Sequence, residues 1–235
     1  KTTLMRMVNA MVTPTSGTVF VRNQDVAGED PVRLRRSIGY VLQEGGLFPH
    51  RTIADNVATV PRLEGATKQA SRERALELLA LVGLDDEMAQ RYPAQLSGGQ
   101  RQRVGVARAL ANRADILLMD EPFGALDPIV RADLQRELKE IQRVLGTTIL
   151  FVTHDVDEAF TLGDQVAILS TGGRIEQVGT PAELLSSPAS PFVAEFVGAS
   201  RAARPVHLAG SGGLIVDEAG TPVGTLTSDE AGDRP

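Results

Sequence analysis

Apolar positions along this chain fall into two kinds of run that alternate. Short continuous runs occur at Ile38-Gly39-Tyr40-Val41-Leu42, at Ile116-Leu117-Leu118-Met119 and within Thr147–Thr153. A run with no polar alternation suits a strand buried on both faces of a parallel sheet. Between them, apolar residues recur at helical spacing. Leu4, Met5, Met7, Val8 and Met11 open the chain; Ala75, Leu78, Leu79 and Val82 follow, with Gly83 placed for a left-handed C-terminal cap. Val104, Ala107 and Leu110 or Ala111 form a third stripe, and Leu134, Leu138, Ile141 and Leu145 a fourth that ends at Gly146. The whole of 53–84 reads as helical, with Ser71 as an N-cap.

Further strands are expected at Gly17–Arg22 and as a pair, Val166–Leu169 and Arg174–Val178, around Gly172-Gly173. Thr180-Pro181-Ala182-Glu183 is a capping box with proline at the first helical position, opening a short helix that ends near Gly198. Strands alternating with helices predict an α/β fold with a mostly parallel sheet. From Ser200 the composition shifts to Ala, Gly, Pro and Asp and the helical period disappears. Leu214-Ile215-Val216 and Val223-Gly224-Thr225-Leu226 flank a polar turn and predict a hairpin in a tail too small for its own core.

Bulk properties narrow the function classes. A chain of 235 residues, 42% hydrophobic and 23% charged, has ordinary globular composition. Its net charge of −6 argues against a nucleic-acid partner. No cysteine is present, which excludes disulfides and thiolate metal sites. No stretch reaches the roughly 18–20 apolar residues that cross a bilayer, so a membrane role would act through a partner protein.

Chemistry concentrates at strand ends. Asp120 and Glu121 follow the run at 116–119, where open α/β sheets place their ligands. The first carboxylate suits a metal-bound site and the second suits general-base work on water. Gln43 and His154 stand just past two other strands; an amide there reaches a metal or water, an imidazole a phosphate or water, although a Gln alone is more often an ordinary surface residue and a lone His more often structural. Leu96-Ser97-Gly98-Gly99-Gln100 combines an N-cap with paired glycines at a helix start, a ready anion site, with Arg101, Arg103 and Arg108 close in sequence. Lys1-Thr2-Thr3 at the chain start resembles the end of a phosphate loop, G-x-x-x-x-G-K-[ST], without its glycines.

Taken in order, Lys1-Thr2-Thr3, Gln43, LSGGQ at 96–100, LLMDEP at 117–122, ALD at 125–127 and His154 resemble the ATP-binding subunit of an ABC transporter. The resemblance covers residues 1–198 and leaves 199–235 as a tail. It implies a P-loop ATPase fold with a mostly parallel core sheet, an antiparallel β portion and a helical signature subdomain. ATP and Mg²⁺ are the implied cofactors. Lys1 would contact the β- and γ-phosphates with Thr3 beside it, and Thr2 would ligate Mg²⁺. Gln43 would touch the metal and the attacking water, and Asp120 would hold Mg²⁺ through water. Glu121 would polarise the water, and His154 would bind the γ-phosphate. Ser97, Gly98, Gly99 and Gln100 would bind the γ-phosphate held by a second subunit, with Asp127 at the seam of a head-to-tail dimer.

A finer resemblance lies in IGYVLQEGGLFPHRTIADNVATVPRLEG at 38–65, which is similar to the cassettes of osmoprotectant importers that take up glycine betaine, choline, carnitine or related quaternary amines. It implies permease subunits docked near Gln43, Leu47, Phe48 and His50, with Leu47-Phe48-Pro49 exposed-looking, an extracytoplasmic binding protein further out, and a peripheral location on the cytoplasmic face of the membrane. LIVDEAGTPVGTLT at 214–227 is similar to one strand–turn–strand unit of a CBS domain. The glycines of the phosphate loop, its strand and an adenine-stacking aromatic are expected upstream of Lys1. A soluble ABC ATPase and a catalytically inactive regulatory cassette are the competing readings.

Overall fold

The computed structural model describes residues 1–42, 46–198 and, as backbone, 206–209, 214–217 and 222–225. The chain divides into two compact units, Lys1–Gly163 and Asp164–Pro235.

In the first unit, strands β3 (Ile38–Val41), β4 (Ile116–Asp120) and β5 (Thr148–Val152) form a parallel sheet with β4 in the middle. The register pairs Ile38 with Ile116 on one side, and Ile116 with Thr148 through Asp120 with Val152 on the other. The unbroken apolar run of β4 is explained by its two buried faces. Leu117 and Met119 enter a cluster with Val41, Leu78, Val104 and Leu138, whereas Leu118 enters a second with Met5, Val21, Leu34 and Ile38. Alternate side chains point to opposite faces, so both sets must be apolar. At Gly39 an added Cβ would lie 2.5 Å from the carbonyl oxygen of Ala109. Glycine here lets β3 pass against the end of the helix Gly98–Leu110.

Helices cover both faces. On the side of Leu118 lie α1 (Thr2–Val8) and α2 (Pro31–Ser37), the latter capped by Asp30 with Pro31 at its first position. On the other side are α3 (Ile53–Val57), α4 (Thr59–Leu63), α5 (Lys68–Leu81), α6 (Gly98–Leu110) and α7 (Pro128–Leu145). Helix α8 (Val156–Leu162) closes the unit. The continuous helical reading of 53–84 is corrected to three helices. Thr52 and Thr67 each start one through a side-chain cap, and Gly65 at φ +91° turns the chain between α4 and α5. Ser71 is no cap; it is buried within α5, and its hydroxyl donates back to the Thr67 carbonyl. Gly83 adopts the left-handed conformation read for it, and Gly146, read only as a helix end, is left-handed as well.

The strand expected at Gly17–Arg22 shrinks to β1 (Phe20–Val21), which pairs with β2 (Gln24–Asp25) across a two-residue turn. Arg22 and Asn23 both have positive φ, 51° and 61°, as a type I′ turn requires. Neither residue is glycine, so the turn is strained. Arg22 is held by a forked contact to both carboxylate oxygens of Asp115, with Nε to Oδ2 at 2.8 Å, and by bonds to the hydroxyl and carbonyl of Ser37.

In the second unit, β6 (Val166–Leu169) and β7 (Ile175–Gly179) pair antiparallel around Gly172 and Gly173, whose φ values are 81° and 80°. Helix α9 (Pro181–Ser186) opens on the reciprocal Thr180–Glu183 capping box. The single helix expected to follow is instead α9 and a separate α10 (Pro191–Phe196), restarted by a Ser190 cap and Pro191. Strands β8 (Val206–Ala209), β9 (Leu214–Asp217) and β10 (Pro222–Thr225) pair antiparallel in the order β10-β9-β8.

Hydrogen bonding from Arg22 holds the Asp115 carboxyl below its ordinary value of 3.8. A depressed carboxylate adds stability above that ordinary value and loses it as pH falls through the folded one. Both partners are substantially exposed, so the contribution is expected to stay below about 1 kcal/mol. Urea unfolding of the native chain and Asp115→Asn from pH 7 to pH 3 is the check. The native advantage should be constant above about pH 5 and narrow towards pH 3; a gap that does not narrow would contradict the pairing.

Candidate functional site

The carboxyl ends of β4 and β5 gather the chemistry. Asp120 is the last residue of β4 and stays in register opposite Val152. Glu121 then leaves the strand in the left-handed region, at φ +46°, unusual for a residue with a Cβ. Its amide still donates to the carbonyl of Val152 at 2.8 Å, so the kink is tied to the sheet. Strain of this kind persists where surrounding bonds over-determine it, and it clusters at functional sites. Its consequence is that two adjacent carboxylates meet different partners. Asp120 Oδ1 accepts the hydroxyl of Thr2 at 2.9 Å, whereas Glu121 Oε2 lies 3.2 Å from His154 Nδ1.

Lys1 belongs to the same group: its ammonium donates to the carbonyl of Thr153 at 2.7 Å, one residue before His154. A lysine, a hydroxyl, two carboxylates and a histidine therefore share one end of the sheet. The Thr2 and Asp120 oxygens are hard donors that suit Mg²⁺. Among the described residues, no group of three or more His, Cys, Asp or Glu side chains could hold a metal ion by itself, so such an ion would complete its shell with water and phosphate oxygens, as Mg²⁺ usually does. The donor set fits a metal that arrives with a phosphate ligand.

Ser97–Gln100 are built differently. Ser97 caps α6 by accepting the Gln100 amide at 3.2 Å, and the Gln100 side chain accepts the Ser97 amide at 2.9 Å. Arg101 braces the turn by donating to the Leu96 carbonyl at 2.6 Å. Asp127 caps α7 through the Val130 amide at 3.0 Å, with Pro128 at the first helical position. The two helix starts are adjacent: a Cβ on Gly99 would lie 2.7 Å from Val130 Cγ1, and one on Gly98 would lie 3.5 Å from Leu126 Cδ2. Among the described residues, no hydrogen bond or ion pair joins 97–100 to Lys1, Thr2, Asp120, Glu121 or His154. Gln43 lies outside the described residues, and Thr3 makes no polar side-chain contact among them.

The loop at 46–52 is held rigidly from beneath. Asn56, fully buried, accepts the Phe48 amide at 2.7 Å and donates to the carbonyls of Phe48, Arg51 and Thr52. Phe48 and His50 are exposed, with Arg51 over the Phe48 ring at 5.0 Å. Leu47, expected to be exposed, instead packs partly against the core. Asn56 stands in the sequence only as part of the segment at 38–65, because a lone asparagine in a helix carries no signal of what it will bind. Thr153, Arg131 and Glu158, which surround the His154 loop, carry no sequence signal because their partners come from other elements.

Comparison with known proteins adds a second line of observation. A family model described as ABC transporter matches residues 1–124. The glycine betaine/carnitine/choline transport ATP-binding protein OpuCA of Bacillus subtilis (strain 168) is 54% identical over 201 residues, covering 86% of this chain and 53% of its own. The osmoprotectant import ATP-binding protein OsmV of Salmonella typhimurium is 46% identical over 213 residues, covering 90% and 56%. Among solved structures, the dimeric post-hydrolysis state of the ATP-binding cassette MJ0796, bound to ADP and Pi, is similar with a TM-score of 0.67 and 34% identity, covering 76% of this chain and 79% of that one. The chain spans about half the length of the curated relatives it matches.

The neighbouring glycines of 98–99 give a test of what each is for. Alanine in place of glycine favours a helix by about 1 kcal/mol, but at Gly99 the added methyl meets a stiff β-branched side chain. Gly99→Ala is expected to destabilise the fold by about 1–3 kcal/mol, and Gly98→Ala to stay within about 0.5 kcal/mol of the native chain. Urea unfolding at neutral pH distinguishes them; equal effects would contradict the packing described.

Proposed function

The chain belongs to the ABC transporter family, and from that premise we propose that it is the ATP-hydrolysing subunit of an importer for an osmoprotectant such as glycine betaine or another quaternary amine. The observation that carries the catalytic part is the pair of contacts at the end of β4, Thr2 with Asp120 and Glu121 with His154. They separate a metal-holding task from a water-activating one within two adjacent residues.

In this reading ATP is the substrate. Thr2, and Asp120 through water, would hold Mg²⁺, which would neutralise charge on the phosphate oxygens. Lys1 exchanges its bond to the Thr153 carbonyl for the β- and γ-phosphates. Glu121 orients water for in-line attack and takes its proton. His154, positioned by Glu121, donates a hydrogen bond to the terminal phosphate. Most of the rate enhancement then comes from positioning and charge stabilisation. Gln43 is assigned to the metal and the attacking water. Ser97–Gln100 are assigned to the phosphate held by a second subunit, with Asp127 beside them at the seam. This assignment is supported by the lack of any bond from 97–100 to the β4 group among the described residues, and by a similar cassette being a dimer.

Coupling to transport is assigned to permease subunits that meet the 46–52 loop. Exposed Phe48, whose backbone is pinned by Asn56, and His50, 6.1 Å from the Phe48 ring, form the contact. No helix of the described residues is long and apolar enough to cross a membrane, and a peripheral position on the cytoplasmic face follows from docking of this kind. An extracytoplasmic binding protein would deliver the substrate. The choice of osmoprotectant is supported by the similarity to OpuCA, a glycine betaine/carnitine/choline transport ATP-binding protein, and to OsmV, an osmoprotectant import ATP-binding protein.

Steady-state ATP hydrolysis by the full-length protein and its Glu121→Gln variant tests the catalytic reading. A loss of general-base assistance should lower turnover by about 100-fold or more. Equal, background turnover in both would overturn it. Uptake of labelled glycine betaine or choline by the subunit reconstituted with its permease then tests the substrate, and ATP-independent or absent uptake would count against that assignment.

A further inference from the structure

Glu158 is a buried carboxylate in α8 that the mechanism above does not use. Its side chain is 6% exposed, yet it lies beside the loop carrying His154. One oxygen accepts the Thr153 hydroxyl at 2.8 Å; the other lies 3.7 Å from Nε of Arg131, in the first turn of α7. The Arg131 guanidinium also approaches Asp155 at 3.6 Å and donates to the carbonyl of Leu126 at 3.2 Å. Leu126 directly precedes Asp127, while Thr153 accepts the Lys1 ammonium on its carbonyl. A single side chain thus touches the loop before α7 and both carboxylates that frame the loop after β5.

We propose that Arg131 is a positioning residue that ties the Leu126-Asp127 loop to the Thr153-His154 loop through Glu158 and Asp155. The inference rests on the ATPase reading and goes beyond its assigned residues. A buried carboxylate near one cation depends on that cation. The arginine fork, unlike an ammonium, can address a carbonyl and two carboxylates at once. The ion contacts are slack. At 3.6 and 3.7 Å they exceed the roughly 2.7–2.9 Å of a charge-assisted hydrogen bond, and Arg131 Nε is buried with no hydrogen-bond partner. A shift of the α7 start by less than about 1 Å closes that gap. Movement at Asp127, which the proposed dimer seam would impose, therefore reaches Thr153 and with it the placement of His154 against Glu121. Catalytic hydrogen bonds are often long before substrate binds and tighten afterwards.

The test uses the full-length protein with Arg131→Met, Arg131→Lys, Glu158→Gln and the double variant Arg131→Met/Glu158→Gln, read by kcat and KM for ATP. A displaced catalytic group should lower kcat by about tenfold or more in Arg131→Met, with KM changed less than about threefold, because Arg131 touches no nucleotide-binding group directly. The double variant should be no slower than the slower single one, since both break one linkage. Arg131→Lys keeps the charge without the fork and should fall between. If Arg131→Met does not fold, the lysine variant and Glu158→Gln decide on the same kcat criterion. Native-like kcat in folded variants, or single effects that multiply in the double, overturn the inference. If native turnover is clear and Glu121→Gln is silent while the Arg131 variants match the native protein, this inference alone fails. Background turnover in the native protein removes the ATPase reading and this inference with it.

Discussion

The parallel register of β4 on β5 is the constraint on which the site depends. It sets Asp120 opposite Val152, and the Val152 carbonyl then captures the amide of Glu121 while that residue turns into the left-handed region. Without that bond, a non-glycine residue at φ +46° would relax towards the extended conformation. The Glu121 carboxylate would then lose its place beside His154, which enters from the end of β5. One strand pairing therefore positions a carboxylate from β4 and an imidazole from β5. The apolar core on both faces of β4 holds that pairing in place.

A second consequence is spatial economy. Thr2 and Lys1 reach the same sheet end from the start of α1, bonding to Asp120 and Thr153 respectively. Ser97–Gln100 spend their polar groups on closing the start of α6 and press their glycines against α7. A motif whose side chains are absorbed locally still presents first-turn amides, which no helix can satisfy internally. Such a helix start suits a ligand brought by another molecule, which fits the proposed role of these residues across a dimer.

Much of this was legible in the chain. The unbroken run at 116–119 announced a doubly buried strand, and Gly83, Gly146 and the Thr180–Glu183 box stand as read, because each depends on a local rule. What escaped depends on distant partners. The Arg22-Asn23 turn carries no glycine signal; it is held by Asp115, far away in sequence. The break at 58 lies inside helical apolar spacing from Ile53 and Val57 to Val60, whereas Gly65 and the Thr67 cap are local signals that the helical reading of 53–84 runs past. At the site, Asp120, Glu121 and His154 were marked by their places after strands. Arg131, Glu158 and Asn56 were not, because their meaning comes from loops they hold rather than from a pattern they join.

The division of labour between the adjacent carboxylates is the central claim, and equilibrium binding of ATP with and without Mg²⁺ tests it most directly. In Glu121→Gln, ATP affinity should keep the Mg²⁺ dependence of the native protein. In Asp120→Asn that dependence should fall by about tenfold or more, since a charged ligand group has been removed from the ion. Equal Mg²⁺ dependence in the two variants would contradict the assignment.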